Sequence, residues 1–434
     1  MSSSILNIAL RNTIMSEEIK KKKIVVLSDH PMSPSGVGTQ TRYFIEALLK
    51  TGRYKFVCFG GAIAHQNYQP MKTDEWGDDL IIYPTKGYGD ASLLREAIWL
   101  ERPDAVWIMT DPRFWGWLWE MEEEIRSHCP LVYYHVWDNY PYPHFNRKYY
   151  LSNDAIATIS KVTDDIVATV APEVKRKYIP HAVPSAFSPF PEEERTKFRQ
   201  DNFGDDADKF VVFWNNRNAR RKQSGSLIFW FKKFLNKVGQ DKAVLIMHTD
   251  TKDQHGQDLD AIVQEIEMDK GQVKFSRHKM PPEHLARLYN ACDVTVNISD
   301  AEGFGLATLE SMACGTPIIV NKTGGLQEQI TDGKEVFGVG IEPASKAIIG
   351  SQDIPFIRED RMNEDDFVNA LEEIFNKTHK QRRKLGEKGR KHVEKNYSFV
   401  EMEKNWVEFM DEIIEENGAW ETRKGYEAWE QLSV

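Results

Sequence analysis

Cysteine is scarce in this chain of 434 residues. Only Cys58, Cys129, Cys292 and Cys314 are present, far apart and without a C-x-x-C pair. That spacing excludes a disulfide framework and a zinc ribbon, and the apolar surroundings of Cys292 and Cys314 predict buried, reduced thiols in a cytoplasmic protein. No apolar run approaches the roughly 18–20 residues that a membrane span requires. The N-terminus, M-S-S-S-I-L-N-I-A-L-R, has no basic region ahead of its short apolar stretch and no clear cleavage site. Residues 1–22 therefore read as an extension ahead of the first domain rather than a signal peptide. Positive charge is not in excess either. The net charge of −10 opposes general affinity for nucleic acid or anionic lipid. The imbalance is uneven: residues 1–188 hold 21 basic against 22 acidic residues, so nearly all the acidic excess lies beyond them. Metal-type His/Cys spacing and a local Ser–His–Asp signature are also missing, and no internal repeat is evident.

What the chain does contain is alternation. Apolar residues make up 41% and charged residues 28%, a balance that supports sizeable cores. Strand-like runs at Lys23–Ser28, Phe56–Gly60, Leu80–Tyr83, Ala105–Met109, Leu131–Val136 and Ala155–Ile159 are separated by helical stretches, one of them running from about Thr39 to Lys50. A Pro- and charge-rich stretch from Pro180 to about Asp208 reads as a connection. Alternation then resumes at Phe210–Trp214, Ala243–His248, Val273–Phe275, Val294–Ile298 and Pro317–Val320. This pattern predicts α/β architecture with two tandem Rossmann-like domains, 23–188 and 209–395. A helical, aromatic-rich segment, 396–434, follows. The stretch Gly338–Arg361 has no legible element.

The densest signal is E-G-F-G-L-A-T-L-E, Glu302–Glu310. It follows the buried-strand pattern Asp293–Ser299 and leads into helix formers that stop at Gly315 and Pro317. A strand thus feeds a helix through a loop containing Gly303 and Gly305. Unpaired N–H groups and the helix dipole make such a loop an anion cradle. Carboxylates repel phosphate, so Glu302 and Glu310 beside the cradle make chemical sense as acceptors for hydroxyls at the two ends of a diphosphate. A nucleotide sugar, with a ribose at one end and a hexose at the other, is such a ligand.

This segment resembles the E-x7-E signature of retaining, family-4-type glycosyltransferases of GT-B architecture. The likeness continues through A-C-G-T-P-I-I-V-N-K-T-G-G-L-Q-E-Q-I-T-D-G, Ala313–Gly333. It implies two Rossmann-like domains with a cleft between them, and a C-terminal helix packing back on the first. It also implies transfer of a sugar from a nucleotide diphosphate to an acceptor hydroxyl with retained anomeric configuration, without metal or cofactor. Glu302 would contact the transferred sugar and Glu310 the ribose, with Gly303, Phe304, Gly305 and Leu306 at the donor phosphates. F-V-V-F-W-N-N-R-N-A-R-R-K-Q-S-G resembles the family's diphosphate clamp and assigns it to Arg217 and Lys222, leaving Arg220 and Arg221 to a solvated loop. P-S-G-V-G-T, Pro34–Thr39, resembles the first-domain glycine loop and contributes Gly36 and Gly38. His135, at a strand end, would face the cleft near the reacting carbon.

On the acceptor side, Asp138 and Tyr140 lie in the aromatic, Pro-rich loop 137–145, whereas Trp115 and Trp119, spaced i, i+4, would share one helix face and read as core packing. Asp258-Leu-Asp260 matches a D-x-D metal motif only formally, since it falls in a helical pattern. Donor base, sugar, oligomeric state and acceptor stay open. The acceptor could be a glycan, a lipid-linked or small molecule, or a hydroxymethylated DNA base. A sugar-nucleotide epimerase or phosphorylase on the same architecture, and a non-catalytic sugar-nucleotide-binding protein, are the other readings.

Overall fold

The computed structural model describes residues 20–33, 35–62, 67–352 and 354–427. The expected extension lies outside them apart from its last three residues, and Lys22 already opens the first strand. Eight strands form the first sheet: β1 (Lys22–Asp29), β2 (Tyr54–Gly61), β3 (Met71–Lys72), β4 (Leu80–Pro84), β5 (Ala105–Met109), β6 (Leu131–His135), β7 (Ala155–Thr158) and β8 (Lys175–Tyr178). Their order is β3-β4-β2-β1-β5-β6-β7-β8, parallel except for the short edge strand β3. Ile24–Leu27 show why β1 is central. These four residues are all buried, and successive side chains enter opposite faces, Ile24 and Val26 on one core and Val25 and Leu27 on the other.

The second sheet comprises β9 (Phe210–Asn215), β10 (Ala243–His248), β11 (Val273–Ser276), β12 (Val294–Asn297), β13 (Ile318–Asn321) and β14 (Val339–Ile341). All pair in parallel, in the order β11-β10-β9-β12-β13-β14. In each sheet the order reverses beside the first strand, between β1 and β5 and between β9 and β12. Ligands of open α/β sheets bind outside the carboxyl ends at such a reversal.

Two crossings join the halves. The first contains a helix, Glu192–Phe203, which the charge-rich sequence had concealed. The second leads into the helix Phe399–Asn417, which lies on the first sheet's helix Gly36–Leu49. Trp406, 1% exposed, sets its edge against Phe44 (ring centroids 4.8 Å) and Tyr134 (4.8 Å). Arg53 donates two 2.8 Å bonds to Asp411 at the rim. The aromatic burial dominates here, because exposed ion pairs contribute about 0–1 kcal/mol.

Three sequence expectations are corrected. The helix placed from Thr39 begins at Gly36, because the Ser35 hydroxyl caps the amide of Gly38 (2.9 Å); Gly36 and Gly38 are helical rather than loop residues, and Pro34 lies outside the described residues. Gly338–Arg361 is not irregular but holds β14 and an antiparallel hairpin, β15 (Ser345–Ile349) with β16 (Ile357–Arg361). The hairpin reaches the first domain: the Arg358 amide donates to the Tyr140 carbonyl (2.9 Å), and Ile354 is buried in the first-domain core. Third, Trp115 and Trp119 do not share one helix face. A 3-10 turn, Pro112–Trp115, precedes a short helix, Gly116–Trp119, although both rings are buried in the core. Asp258 is the N-cap of the helix Leu259–Glu265. No helix among the described residues is long and apolar enough to cross a membrane.

Replacing Trp406 with Ala should lower stability by about 3–5 kcal/mol, the range for truncating a buried Phe or Trp. A urea titration followed by far-UV circular dichroism would measure it. An unchanged midpoint would show that this helix is not integral to the first domain.

Candidate active site

The reversal between β9 and β12 organises the site. After β12, Asn297 is fully buried; its side-chain oxygen accepts from the amide (3.1 Å) and hydroxyl (2.5 Å) of Ser299. That compact turn aims the Asn297 side-chain amide at Glu302 Oε2 (3.2 Å). From the end of β9, the 3-10 turn Arg220–Lys222 brings Lys222 onto the same carboxylate. Lys222 is 6% exposed and Glu302 9%. Burial, assisted by Arg221, pushes the Lys222 ammonium down to about 8. Burial also works against the Glu302 charge, yet Lys222 and Arg221 together hold its carboxyl below the ordinary value.

The loop between Glu302 and the helix Leu306–Ala313 is pinned from behind. Gln329 donates to the carbonyls of Phe304 (2.7 Å) and Gly305 (3.0 Å), and Thr308 donates to Gly305 (2.9 Å). With the carbonyls turned back, the amides of Gly303, Phe304, Gly305 and Leu306 donate to no protein acceptor among the described residues. Gly305 takes φ +93°, and a Cβ there would stand 2.4 Å from Leu326 Cδ2. Only glycine allows this turn. Across the cleft, the start of the helix Gly36–Leu49 faces Leu306: a Cβ on Gly36 would lie 3.3 Å from Leu306 Cδ1. Two helix N-termini, one from each half, therefore converge on one place, and their dipoles add positive potential there.

Glu310, one turn into its helix, accepts from the Tyr289 hydroxyl (2.7 Å). It is half-buried, and burial raises its carboxyl to about 7, offset partly by the Tyr289 bond. Asp138 stands over the glycine loop, its Oδ2 3.9 Å from where a Gly303 Cβ would be. Burial raises Asp138 to about 6 against the pull of Arg221.

The structure thus gathers Glu302, Lys222, Gly303, Phe304, Gly305, Leu306, Glu310, Gly36 and Asp138 around one cleft. Gly38 belongs to the packing behind it, since a Cβ would stand 2.2 Å from Ser33 Oγ. Tyr140 turns its hydroxyl to Asp165 (2.8 Å). Arg217 is exposed and donates to Asp253 (2.6 and 3.1 Å). Arg221, expected in a solvated loop, instead donates to the Ala301 carbonyl while its charge acts on Glu302, Lys222 and Asp138. The 3-10 turn carries Arg221 and Lys222 inward together and leaves Arg220 outside on Glu359. His135 is fully buried at the end of β6, its Nε2 2.8 Å from the Tyr150 hydroxyl, and burial drops its imidazole to about 3.

Residues 194–392 match the family described as "Glycosyl transferases group 1". Curated relatives called D-inositol 3-phosphate glycosyltransferase include that of Acidothermus cellulolyticus, 45% identical over 69 residues, and that of Streptosporangium roseum, 50% identical over 62. The matched stretch is 16% of this chain and 15% of the Acidothermus protein, and 14% of each for Streptosporangium, so only about a seventh of those relatives' length is spanned. Solved structures resemble the chain over most of its length. Sucrose-phosphate synthase of Thermosynechococcus elongatus aligns with a TM-score of 0.70 at 17% identity, covering 91% of this chain and 100% of that one. Anabaena HepE in complex with UDP-glucose aligns at 0.66 and 15%, covering 90% and 99%. The glycosyltransferase group 1 segment is thus the second half of a GT-B fold.

Charge-assisted hydrogen bonds contribute about 1.5–3 kcal/mol each. Arg221→Ala and Lys222→Ala should therefore each weaken binding of inorganic pyrophosphate at least tenfold, whereas Arg217→Ala should stay within about twofold. Isothermal calorimetry decides. Loss confined to Arg217→Ala would return the clamp to that residue.

Proposed function

We propose that the protein is a retaining glycosyltransferase that moves a sugar from a nucleoside diphosphate to an acceptor hydroxyl. The observation that carries this reading is the buried Lys222–Glu302 pair beside four unengaged amides and Arg221. Such a site offers cations and N–H donors to a diphosphate and a carboxylate to the hydroxyls of the attached sugar. Glu310, at the other side of the helix start, suits the ribose. Uridine is the first base to test, because HepE was solved with UDP-glucose.

In the proposed reaction the bond between the anomeric carbon and the diphosphate oxygen breaks as the acceptor oxygen bonds to that carbon on the same face. The acceptor proton passes to the departing phosphate oxygen. Negative charge grows on the diphosphate meanwhile, and fixed cations and helix-start amides stabilise it where water is excluded. Lys222 is drawn toward the diphosphate, which releases Glu302 to hold the sugar. Arg221 lies beside the pair and offers the diphosphate a second donor set, its guanidinium. Asp138, beside Gly303, is the carboxylate that we propose receives a hydroxyl of the acceptor. The acceptor's identity is not carried over from the inositol-phosphate relatives, which share only the short segment above.

The two glutamates should fail differently. Glu310→Ala removes a contact common to substrate and product, so it should chiefly weaken binding of both nucleotide and donor. Glu302→Ala removes a contact to the moving sugar, so it should lower kcat by about a hundredfold or more with little change in nucleotide affinity. Calorimetry with uridine diphosphate beside transfer kinetics measures both, and the reverse pattern would exchange the sugar and ribose ends.

Transfer should also persist in excess chelator, because Arg221, Lys222 and the two helix starts supply the positive charge. Activity that disappears with chelation and returns with magnesium or manganese would refute metal independence.

A further inference from the structure

Glu310 does not stand alone. The Asn215 side-chain amide, at the end of β9, donates to the Tyr289 hydroxyl (2.8 Å), and that hydroxyl donates to Glu310 Oε2 (2.7 Å). Tyr289 is fully buried on the helix Pro282–Ala291, with its ring edge-on to Phe213 (5.1 Å) and Phe187 (6.0 Å). The hydroxyl therefore cannot swing, and with Asn215 donating to its oxygen, its single proton is committed to the carboxylate. The resulting chain runs from the second sheet to the cleft and engages one carboxylate oxygen. Glu310 Oε1 receives no hydrogen bond among the described residues.

We propose that Asn215 and Tyr289 are positioning residues: they fix the rotamer and ionisation of Glu310 so that one oxygen is presented, charged, to the ribose hydroxyls of the donor. This rests on the reading of Glu310 as the ribose carboxylate. The physical need is specific. A carboxylate buried without a cation takes a proton near neutrality, and a protonated carboxyl is a poor acceptor for two hydroxyls. No cation faces Glu310 closely enough to prevent this. Its neighbours are Tyr289, Tyr43 from the first-domain helix and Cys314 on its own helix; burial raises all three above their ordinary values, so they are neutral at pH 7. The Tyr289 proton is then what favours the charged form. Asn215 strengthens it, since a hydroxyl that accepts a bond donates a better one.

The sign follows. Ribose hydroxyls favour the carboxylate, so nucleotide affinity should rise with pH through the Glu310 midpoint. Removing the Tyr289 hydroxyl raises that midpoint. Tyr289→Phe keeps the ring packing, and a melting curve verifies the fold. Uridine, guanosine and adenosine diphosphates are titrated by calorimetry from pH 5.5 to 9, and the tightest is used throughout. Wild-type affinity should climb between about pH 6 and 8. Tyr289→Phe should move the climb upward by about one pH unit, lowering affinity roughly tenfold at pH 7 and recovering most of it above pH 8.5. Asn215→Ala should shift it in the same direction by less. Glu310→Ala should bind weakly and lose the part of the climb that wild type and Tyr289→Phe owe to Glu310, keeping only the pH dependence that Lys222, Asp138 and the terminal phosphate impose on all the variants.

A pH-independent loss in Tyr289→Phe, or an unmoved midpoint, overturns the positioning role while leaving the ribose reading intact. Unchanged affinity in Glu310→Ala, or no binding of any of the three nucleotides by the wild type, overturns the ribose reading and this inference with it.

Discussion

Everything at the cleft depends on the ion pair that Lys222 and Glu302 make at the carboxyl ends of β9 and β12. An isolated charge buried to this degree costs several kcal/mol, so each residue offsets most of the cost of burying the other. The pair in turn requires the Asn297 turn, which orients the carboxylate, and the 3-10 turn at Arg220–Lys222, which delivers the ammonium. Arg221 adds a second positive charge beside the pair, so cations and carboxylates alternate across the site rather than summing to one sign. That local pattern suits a ligand carrying both phosphates and hydroxyls.

The walls of the cleft follow from the same reversal of strand order. Two sheets, each with its first strand near the middle, bring two helix N-termini face to face, Gly36 against Leu306. The glycine loop is held by Gln329 and Thr308 through its carbonyls, so its amides are pre-aimed at no cost when a ligand arrives. Preorganisation of this kind separates an anion site from a mere helix start. The hairpin β15–β16 links both sides, since β16 bonds the loop at Tyr140 while Glu359 holds Arg220 beside Lys222.

Much of the architecture was legible because parallel strands buried on both faces must be nearly continuous apolar runs. Phe210–Trp214 and Ala105–Met109 announce themselves in this way. β8 did not, since K-R-K-Y is an edge strand whose lysines pair with Glu408, Glu412 and Glu416 of the last helix. The hairpin was equally opaque, because its alternating charges satisfy partners far away in sequence. At the site, the E-x7-E spacing placed Glu302 and Glu310 in one cleft. Arg221 read as part of a solvated loop, because spacing along the chain does not show that a 3-10 turn carries it inward beside Lys222. A strand end likewise fixes where His135 is, whereas the facing Tyr150 hydroxyl fixes how its ring is turned.

The return of the helix Phe399–Asn417 to the first sheet has a consequence for biosynthesis. The aromatic face formed by Phe44, Trp107 and Tyr134 is complete by residue 134, yet the ring that covers it, Trp406, leaves the ribosome about 270 residues later. At ordinary elongation rates of about 5–20 residues per second, that face waits tens of seconds for its cover. The first domain, although earliest in sequence, is therefore the last to be sealed. During that interval an exposed apolar patch on a half-made chain is a natural client for a chaperone.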